Sequence, residues 1–130
     1  EGRQNEYAKA LRQVREQQER VDNAQERYQQ TNCRFRELAA EGIAIADAMG
    51  FENSLRALEQ EIAREIKILQ EREEQAEKQR AMVLQAHMDA SILERLKEKQ
   101  KIAYQKEVQK QDERFIDELV SAERVGRSES

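Results

Sequence analysis

Residues 39–51 read AAEGIAIADAMGF and interrupt a seven-residue apolar repeat in a proline-free chain of 130 residues. The first series of the repeat consists of Tyr7, Val14, Val21, Tyr28 and Phe35, and the second begins with Leu55, Ile62, Leu69, Ala76 and Val83. Inside a helix, proline costs about 3 kcal/mol and glycine about 1 kcal/mol, so Gly42 and Gly50 mark the place to turn. The pattern therefore predicts an all-α fold, in which two long helices form an antiparallel coiled-coil hairpin and the second helix is the longer.

The same interruption predicts where the helices end. Gly42 is typical of the residue just past a helix C-terminus, and Asn53 or Ser54 is typical of an N-cap. We expect one domain over residues 1–130. Its predicted parts are a helix over about 2–40, a loop over about 41–53, a helix over about 54–123 and a frayed tail over 124–130.

The seam of the first helix contains polar residues in this interpretation. The interleaved positions are taken to be Leu11, Gln18, Gln25, Asn32 and Ala39. Polar residues in a seam lower stability and restrict register, so Gln18, Gln25 and Asn32 are hypothesised to let the hairpin twist. Folding at about residue 46 pairs residues whose numbers add up to about 93, which places Phe35 against Leu58 and Leu11 against Val83.

This register leaves the second helix without a partner from Leu96 to Val120. That stretch includes Phe115, Ile116, Leu119 and Val120. A large apolar side chain gains about 1.5 to 3 kcal/mol on full burial, so we expect something to cover these residues. The two candidates are a further N-terminal segment of the protein and a second subunit, and the latter would mean self-association.

Composition supports a coiled coil and argues against several other classes. Charged residues make up 38% of the chain, which suits helices that bury only about two positions in seven. The net charge of −4 is spread over mixed acidic and basic residues, so no nucleic-acid binding is expected. Cys33 is the only cysteine and excludes an internal disulfide, and no apolar run approaches the ~20 residues that span a bilayer. A cytoplasmic location is the simplest interpretation.

The residues that carry catalysis in other proteins lack their usual context here. His87 is the only histidine, so a zinc site lacks ligands and a Ser-His-Asp arrangement would lie on a bare helix without a pocket. Glycine-rich phosphate-binding loops are absent from the sequence. We therefore expect neither an enzyme nor a protein with a metal or cofactor.

Two clusters stand out as binding candidates. Between Glu94 and Lys110 the basic residues outnumber the acidic ones, either as solvated outer positions or as a stripe that meets an acidic partner. Near the turn, the apolar residues are denser than in the middle of the hairpin, which is typical of a partner-binding end. The second cluster consists of Tyr28, Phe35, Leu38, Leu55, Leu58 and Ile62.

The run Leu93-Glu94-Arg95-Leu96-Lys97-Glu98-Lys99, followed by Tyr104, Glu107 and the pair Asp117-Glu118, resembles the C-terminal signature of the FliJ family of flagellar export proteins. The resemblance implies a cytoplasmic helical hairpin of the flagellar type III export apparatus. Its expected partners are the hexameric export ATPase, which it binds and stimulates, the export gate protein in the membrane and the export chaperones. It would then lie peripherally at the cytoplasmic face of the membrane.

Under this resemblance, each cluster receives a partner. The expected ATPase-proximal residues are Arg95, Lys97, Lys99, Lys101, Phe115 and Leu119, and the cluster from Tyr28 to Ile62 is the expected gate-proximal part. Three alternatives remain open. They are the stalk of a non-flagellar type III secretion system, a nucleic-acid-binding helical arm that uses Lys97, Lys99 and Lys101, and a homodimeric scaffold joined through Phe115 to Val120.

Overall fold

A computed structural model of the chain describes the backbone of residues 2–129 and the side chains of residues 2–127. Helix α1 spans Gly2–Glu41 and helix α2 spans Ile45–Glu129, and the described residues contain no strand. The chain divides into two units, Glu1–Leu84 and Gln85–Ser130. The predicted all-α class and the longer second helix are confirmed.

The connection between the helices is shorter than predicted. Gly42 adopts a φ of 91°, and its N–H donates to the carbonyl of Ala39 at 3.2 Å, as expected for a glycine just past a helix end. The N–H of Ala48 already donates to the carbonyl of Ala44 at 3.0 Å, so α2 starts at Ile45. Alanines and the absence of proline favour helix here, and they outweigh the cost of about 1 kcal/mol for Gly50.

The other predicted boundaries change with the turn. Asn53 and Ser54 lie inside α2 and cannot be its N-cap. At the other end, α2 continues through residues 124–129, where a frayed tail was predicted, while Ser130 lies outside the described residues. An i, i+4 ion pair between Glu123 and Arg127, at 2.6 Å, supports this last part of the helix.

The two helices pack antiparallel in unit 1, but one heptad away from the predicted register. Phe35 stacks on Phe51, with ring centroids 5.3 Å apart, so contacting residues have numbers that add up to about 86 instead of 93. Accordingly, the predicted pairing of Phe35 with Leu58 is wrong. The predicted pairing of Leu11 with Val83 is wrong as well, since Leu11 lines an open pocket together with Ala76. A shift of seven residues keeps the same helix faces in contact, so the shorter turn selects the register without disturbing the seam.

The interleaved seam positions of α1 also differ from the prediction. The buried residues of α1 are Ala10, Gln17, Val21 and Ala24, and those of α2 include Leu55, Leu69 and Ala76. Leu11, Gln18, Gln25 and Ala39 are exposed, and of the predicted set Asn32 alone is half-buried. The partner helix packs on the other flank of the apolar series, where Ala10 and Ala24 occupy little space. The twisting hypothesis therefore fails for Gln18 and Gln25.

One polar residue does occupy the seam. Gln17 is buried, and its Nε2 donates to the backbone carbonyl of Glu65 at 2.9 Å and also to the Glu65 carboxylate. Arg20 lies 3.5 Å from the same carboxylate. Because a buried amide without partners is destabilising, these bonds make Gln17 compatible with the seam and help to set its register.

An ion pair flanks the seam nearer the connection, by nearly three turns on α1 and about one turn on α2. Arg27 Nη2 lies 2.6 Å from Glu61 Oε1. The hydrogen bond from Arg27 lowers the pKa of Glu61, and the same bond raises the pKa of Arg27. Both groups are in contact with solvent, so the pair orients the helices more than it stabilises them.

Candidate interaction surfaces

The predicted gate-proximal residues mostly serve the packing of the hairpin. Leu55 is buried, and the remaining five, Tyr28, Phe35, Leu38, Leu58 and Ile62, are half-buried. The hydroxyl of Tyr28 donates to Glu59 Oε1 at 3.3 Å, across to the other helix. These side chains hold the two helices together near the connection and offer a partner only their outer edges.

The exposed apolar surface near the connection comes from residues that the sequence interpretation assigned to a loop. We call residues 37–55 the tip. In the tip, Ile45 is 81% exposed and Met49 is 59% exposed, and they lie one helical turn apart at the start of α2. The sequence signal that could have identified this surface was the presence of isoleucine and methionine in a segment outside the heptad series, because large apolar side chains are not expected in a solvated loop.

An open groove of about 490 Å³ lies in the tip. Its lining residues are Leu38, Ile43, Ala46, Asp47, Gly50, Phe51 and Ser54. Leu38 is the one predicted gate-proximal residue that lines it. The groove is mainly apolar, with a carboxylate at Asp47, and a shape of this kind suits a side chain or a helix from another protein.

Unit 2 is exposed along its described length. Every residue from 85 to 127 is exposed, and Phe115 is exposed over 61% of its surface. The geometry of α2 places Phe115, Ile116, Leu119 and Val120 on adjacent positions of one side of the helix. Large apolar residues grouped in this way are typical of an interaction site.

Four of the six basic residues in the predicted stripe, Arg95, Lys99, Lys106 and Lys110, lie on one side of α2, and Lys97 and Lys101 lie on the other. At 100° per residue, Lys97 lies about 200° around the helix from Arg95, and Lys101 has the same relation to Lys99. Arg95 and Lys99 therefore face away from Lys97 and Lys101. The three lysines of the nucleic-acid alternative, Lys97, Lys99 and Lys101, therefore do not face one groove together.

Two of the lysines share a side with the apolar residues. Phe115 follows Lys97, and Leu119 follows Lys101, by 18 residues, which is about five turns of 3.6 residues. We call Lys97, Lys101, Phe115 and Leu119 the α2 face. Of the six predicted ATPase-proximal residues, the structure aligns these four and leaves Arg95 and Lys99 on the opposite side.

Other kinds of site find little support in the part of the chain that the structure describes. No group of three or more His, Cys, Asp or Glu side chains there could hold a metal ion. Cys33 is exposed and has no disulfide partner. Among residues 2–129, none of the helices combines the length and apolarity needed to cross a membrane.

Similarity to known proteins indicates the family of the chain, and with it the kind of protein that these surfaces could bind. No curated protein and no solved structure matches the chain. The family model described as "Flagellar FliJ protein" matches residues 1–130, the whole of the chain. Together with the two packed helices and the exposed surfaces described above, this match establishes that the chain belongs to the flagellar FliJ protein family.

Proposed function

We propose that this protein is a coiled-coil stalk that binds and stimulates the hexameric export ATPase and links it to the export gate and the export chaperones. Membership of the FliJ family supports the general part of this proposal, a stalk in flagellar protein export. The family is structural and not catalytic, so the role assigned to the chain is to contact and regulate other proteins. The match also favours the flagellar system over the stalk of a non-flagellar one.

The observation that carries the proposal is the α2 face. Phe115 and Leu119 are large, apolar and more than half exposed, and Ile116 and Val120 extend the surface beside them. Full burial of such side chains contributes about 1.5 to 3 kcal/mol each, which is enough to hold an interface together. Lys97 and Lys101 on the same side would add attraction to an acidic surface and speed the encounter.

We assign the ATPase to this face and the export gate to the tip. The predicted gate-proximal residues then act mainly by holding the tip in shape, since five of them are half-buried and Leu55 is buried. Direct contact falls to two separate parts of the tip, the groove on one side of α2 and the exposed pair Ile45 and Met49 on the other. A peripheral position at the cytoplasmic face of the membrane follows from the gate contact. The chaperones are assigned to no particular surface.

The test is the rate of ATP hydrolysis by the purified export ATPase with and without this protein. We expect stimulation by the wild type and its loss in Phe115→Asp and Leu119→Asp, because a carboxylate cannot be buried in an apolar contact. Ser121→Asp is the matched control. It adds the same charge to the same helix away from the apolar side and should stimulate normally.

The lysines provide a second comparison. The double variant Lys97→Glu/Lys101→Glu reverses two charges on the α2 face, whereas Arg95→Glu/Lys99→Glu reverses two charges on the opposite side. We expect stimulation to fall in the first and to persist in the second. If the two double variants reduce stimulation equally, binding does not depend on a defined face of α2. If the wild-type protein fails to stimulate the ATPase at every molar ratio, the proposal is wrong. Dimers that persist in the wild type and dissociate in Phe115→Asp would instead favour the homodimeric scaffold.

A further inference from the structure

The tip contains acidic residues but no basic ones. Residues 37–55 contain Glu37, Glu41, Asp47 and Glu52 but no lysine, arginine or histidine. The whole chain has 27 acidic and 23 basic residues, so outside the tip the two signs balance at 23 each. These nineteen residues therefore carry a formal charge of −4, and Arg36 and Arg56 stand directly outside them.

The four carboxylates are available to a partner. All four side chains are exposed, and none has an ion-pair partner among residues 2–127. Asp47 lies in the first turn of α2, where the helix N-terminus favours a negative charge, and it also lines the groove. A negative side chain thus stands at the wall of the apolar groove.

The groove has room for an apolar side chain. Its apolar lining includes Leu38, Ile43 and Phe51. Gly50 also lines it, and a Cβ atom added at Gly50 would meet nothing within 4 Å. Apolar side chains from outside could therefore enter without displacing part of the hairpin.

We propose that the groove in the tip docks a basic amphipathic helix of a partner protein, which places apolar side chains in the groove while its lysines or arginines face Asp47 and Glu41. An amphipathic helix laid in an apolar groove is a common mode of peptide recognition. Complementary charge at the rim mainly gives specificity and speeds association.

The charge of the tip decides among the possible occupants. A second copy that met the first through the same tip would bring four more carboxylates to the contact, which disfavours a symmetric dimer there. An anionic membrane surface would be repelled for the same reason. The partner inferred is thus a protein helix that carries the opposite charge.

The proposed function assigns the export gate to the tip. Docking of a basic helix rests on that function only for the identity of the partner. A binding assay with synthetic peptides needs neither the gate nor the ATPase, so a failure here is distinguishable from a failure of ATPase stimulation. The probes are three fluorescein-labelled 18-residue peptides. One is amphipathic with leucines on one side and lysines on the other, one replaces each lysine by glutamate, and one scrambles the basic sequence to abolish the apolar side.

Fluorescence anisotropy with the full chain is expected to show binding of the basic amphipathic peptide, and at least about tenfold weaker binding of the other two, which corresponds to about 1.4 kcal/mol. Gly50→Leu should lower affinity for this peptide at least about tenfold, because its side chain fills the groove while leucine favours helix over glycine. The double variant Glu41→Gln/Asp47→Asn should lower affinity about 3- to 10-fold, from two exposed charge pairs. Glu16→Gln/Glu19→Gln is the matched control, with the same change of net charge on exposed residues of α1, and should bind normally.

Several results would overturn the proposal. Equal binding of the scrambled basic peptide would show attraction by charge alone. Unchanged binding by Gly50→Leu, with normal helicity by circular dichroism, would place the peptide elsewhere on the chain. Sedimentation that shows self-association lost in Gly50→Leu would make a second copy the occupant, and binding to vesicles rich in phosphatidylserine that is lost in the same variant would make it a membrane.

Discussion

Replacing Phe51 with alanine tests the register of the hairpin directly. In the structure Phe51 is half-buried and stacks on Phe35, with the two ring planes 7° apart. Full truncation of a core phenylalanine costs about 3 to 5 kcal/mol, so half burial corresponds to about 1.5 to 2.5 kcal/mol. The stacked pair adds about 0.5 to 1.5 kcal/mol. We therefore expect Phe51→Ala to lower the free energy of unfolding by about 2 to 4 kcal/mol.

The alternative register gives a different result. In the alternative register, the numbers of contacting residues add up to about 93. Phe51 would then lie in a solvated loop and Phe35 would pack on Leu58. Truncating Phe51 would then change stability by less than about 0.5 kcal/mol, as for most surface substitutions. A double-mutant cycle on Phe35 and Phe51 sharpens the distinction, because the coupling energy should be about 0.5 to 1.5 kcal/mol in the observed register and near zero in the other.

Urea unfolding followed by circular dichroism at 222 nm measures these quantities. With a urea dependence of about 2 kcal/mol per molar, a loss of 2 kcal/mol lowers the midpoint by about 1 M. Met49→Ala is the matched control, since Met49 is a large apolar residue of the same helix segment but is mostly exposed. The reasoning fails if Phe51→Ala unfolds at the same urea concentration as the wild type, or if the coupling energy is within about 0.3 kcal/mol of zero.

Three further predictions concern stability. Gly42→Ala should destabilise the hairpin by about 1 to 2 kcal/mol in urea, because Gly42 has a φ of 91°, whereas Gly50→Ala should stabilise it by up to about 1 kcal/mol since Gly50 lies inside a helix. Gln17→Ala should lower the free energy of unfolding by about 1 to 3 kcal/mol, because buried hydrogen bonds are lost, whereas Gln18→Ala next to it should change it by less than about 0.5 kcal/mol. The third prediction concerns pH. Folding lowers the pKa of Glu61, so its contribution to stability is present above the unfolded pKa and is lost as the pH falls through the folded pKa. The melting temperature of Glu61→Gln should therefore fall less between neutral and acidic pH than that of the wild type.

Each of these has a clear contrary outcome. Equal effects of alanine at the two glycines would contradict the assigned turn, and equal effects at the two glutamines would contradict the assigned seam. A fall in melting temperature with acid that is identical in Glu61→Gln and the wild type would show that the pair with Arg27 does not contribute in solution.

The candidate surfaces were only partly accessible from sequence. The heptad repeat identified Phe115 and Leu119 as apolar residues without a partner, and both prove to be exposed. The basic residues were treated as one stripe, although 100° per residue along the predicted helix already places Lys97 and Lys99 on opposite sides. In the tip, Ile45 and Met49 were missed because the segment was taken for a loop, and the half-buried packing residues around Leu55 were taken for the surface.

The sequence by itself determined that the protein is a pair of helices joined in the region of Gly42 and Gly50, because proline is absent, glycine is rare and the apolar residues repeat every seven, but it made the connection too long, at about 41–53. It also determined which series of residues faces the partner helix, from Tyr7 to Phe35 and from Leu55 to Val83. Only the tertiary structure decided the register, since a shift of one heptad presents the same faces and leaves the pattern unchanged. The tertiary structure also selected the flank that contains Gln17, because spacings of three and four residues are equally compatible with a heptad and the choice depends on the packing of the second helix.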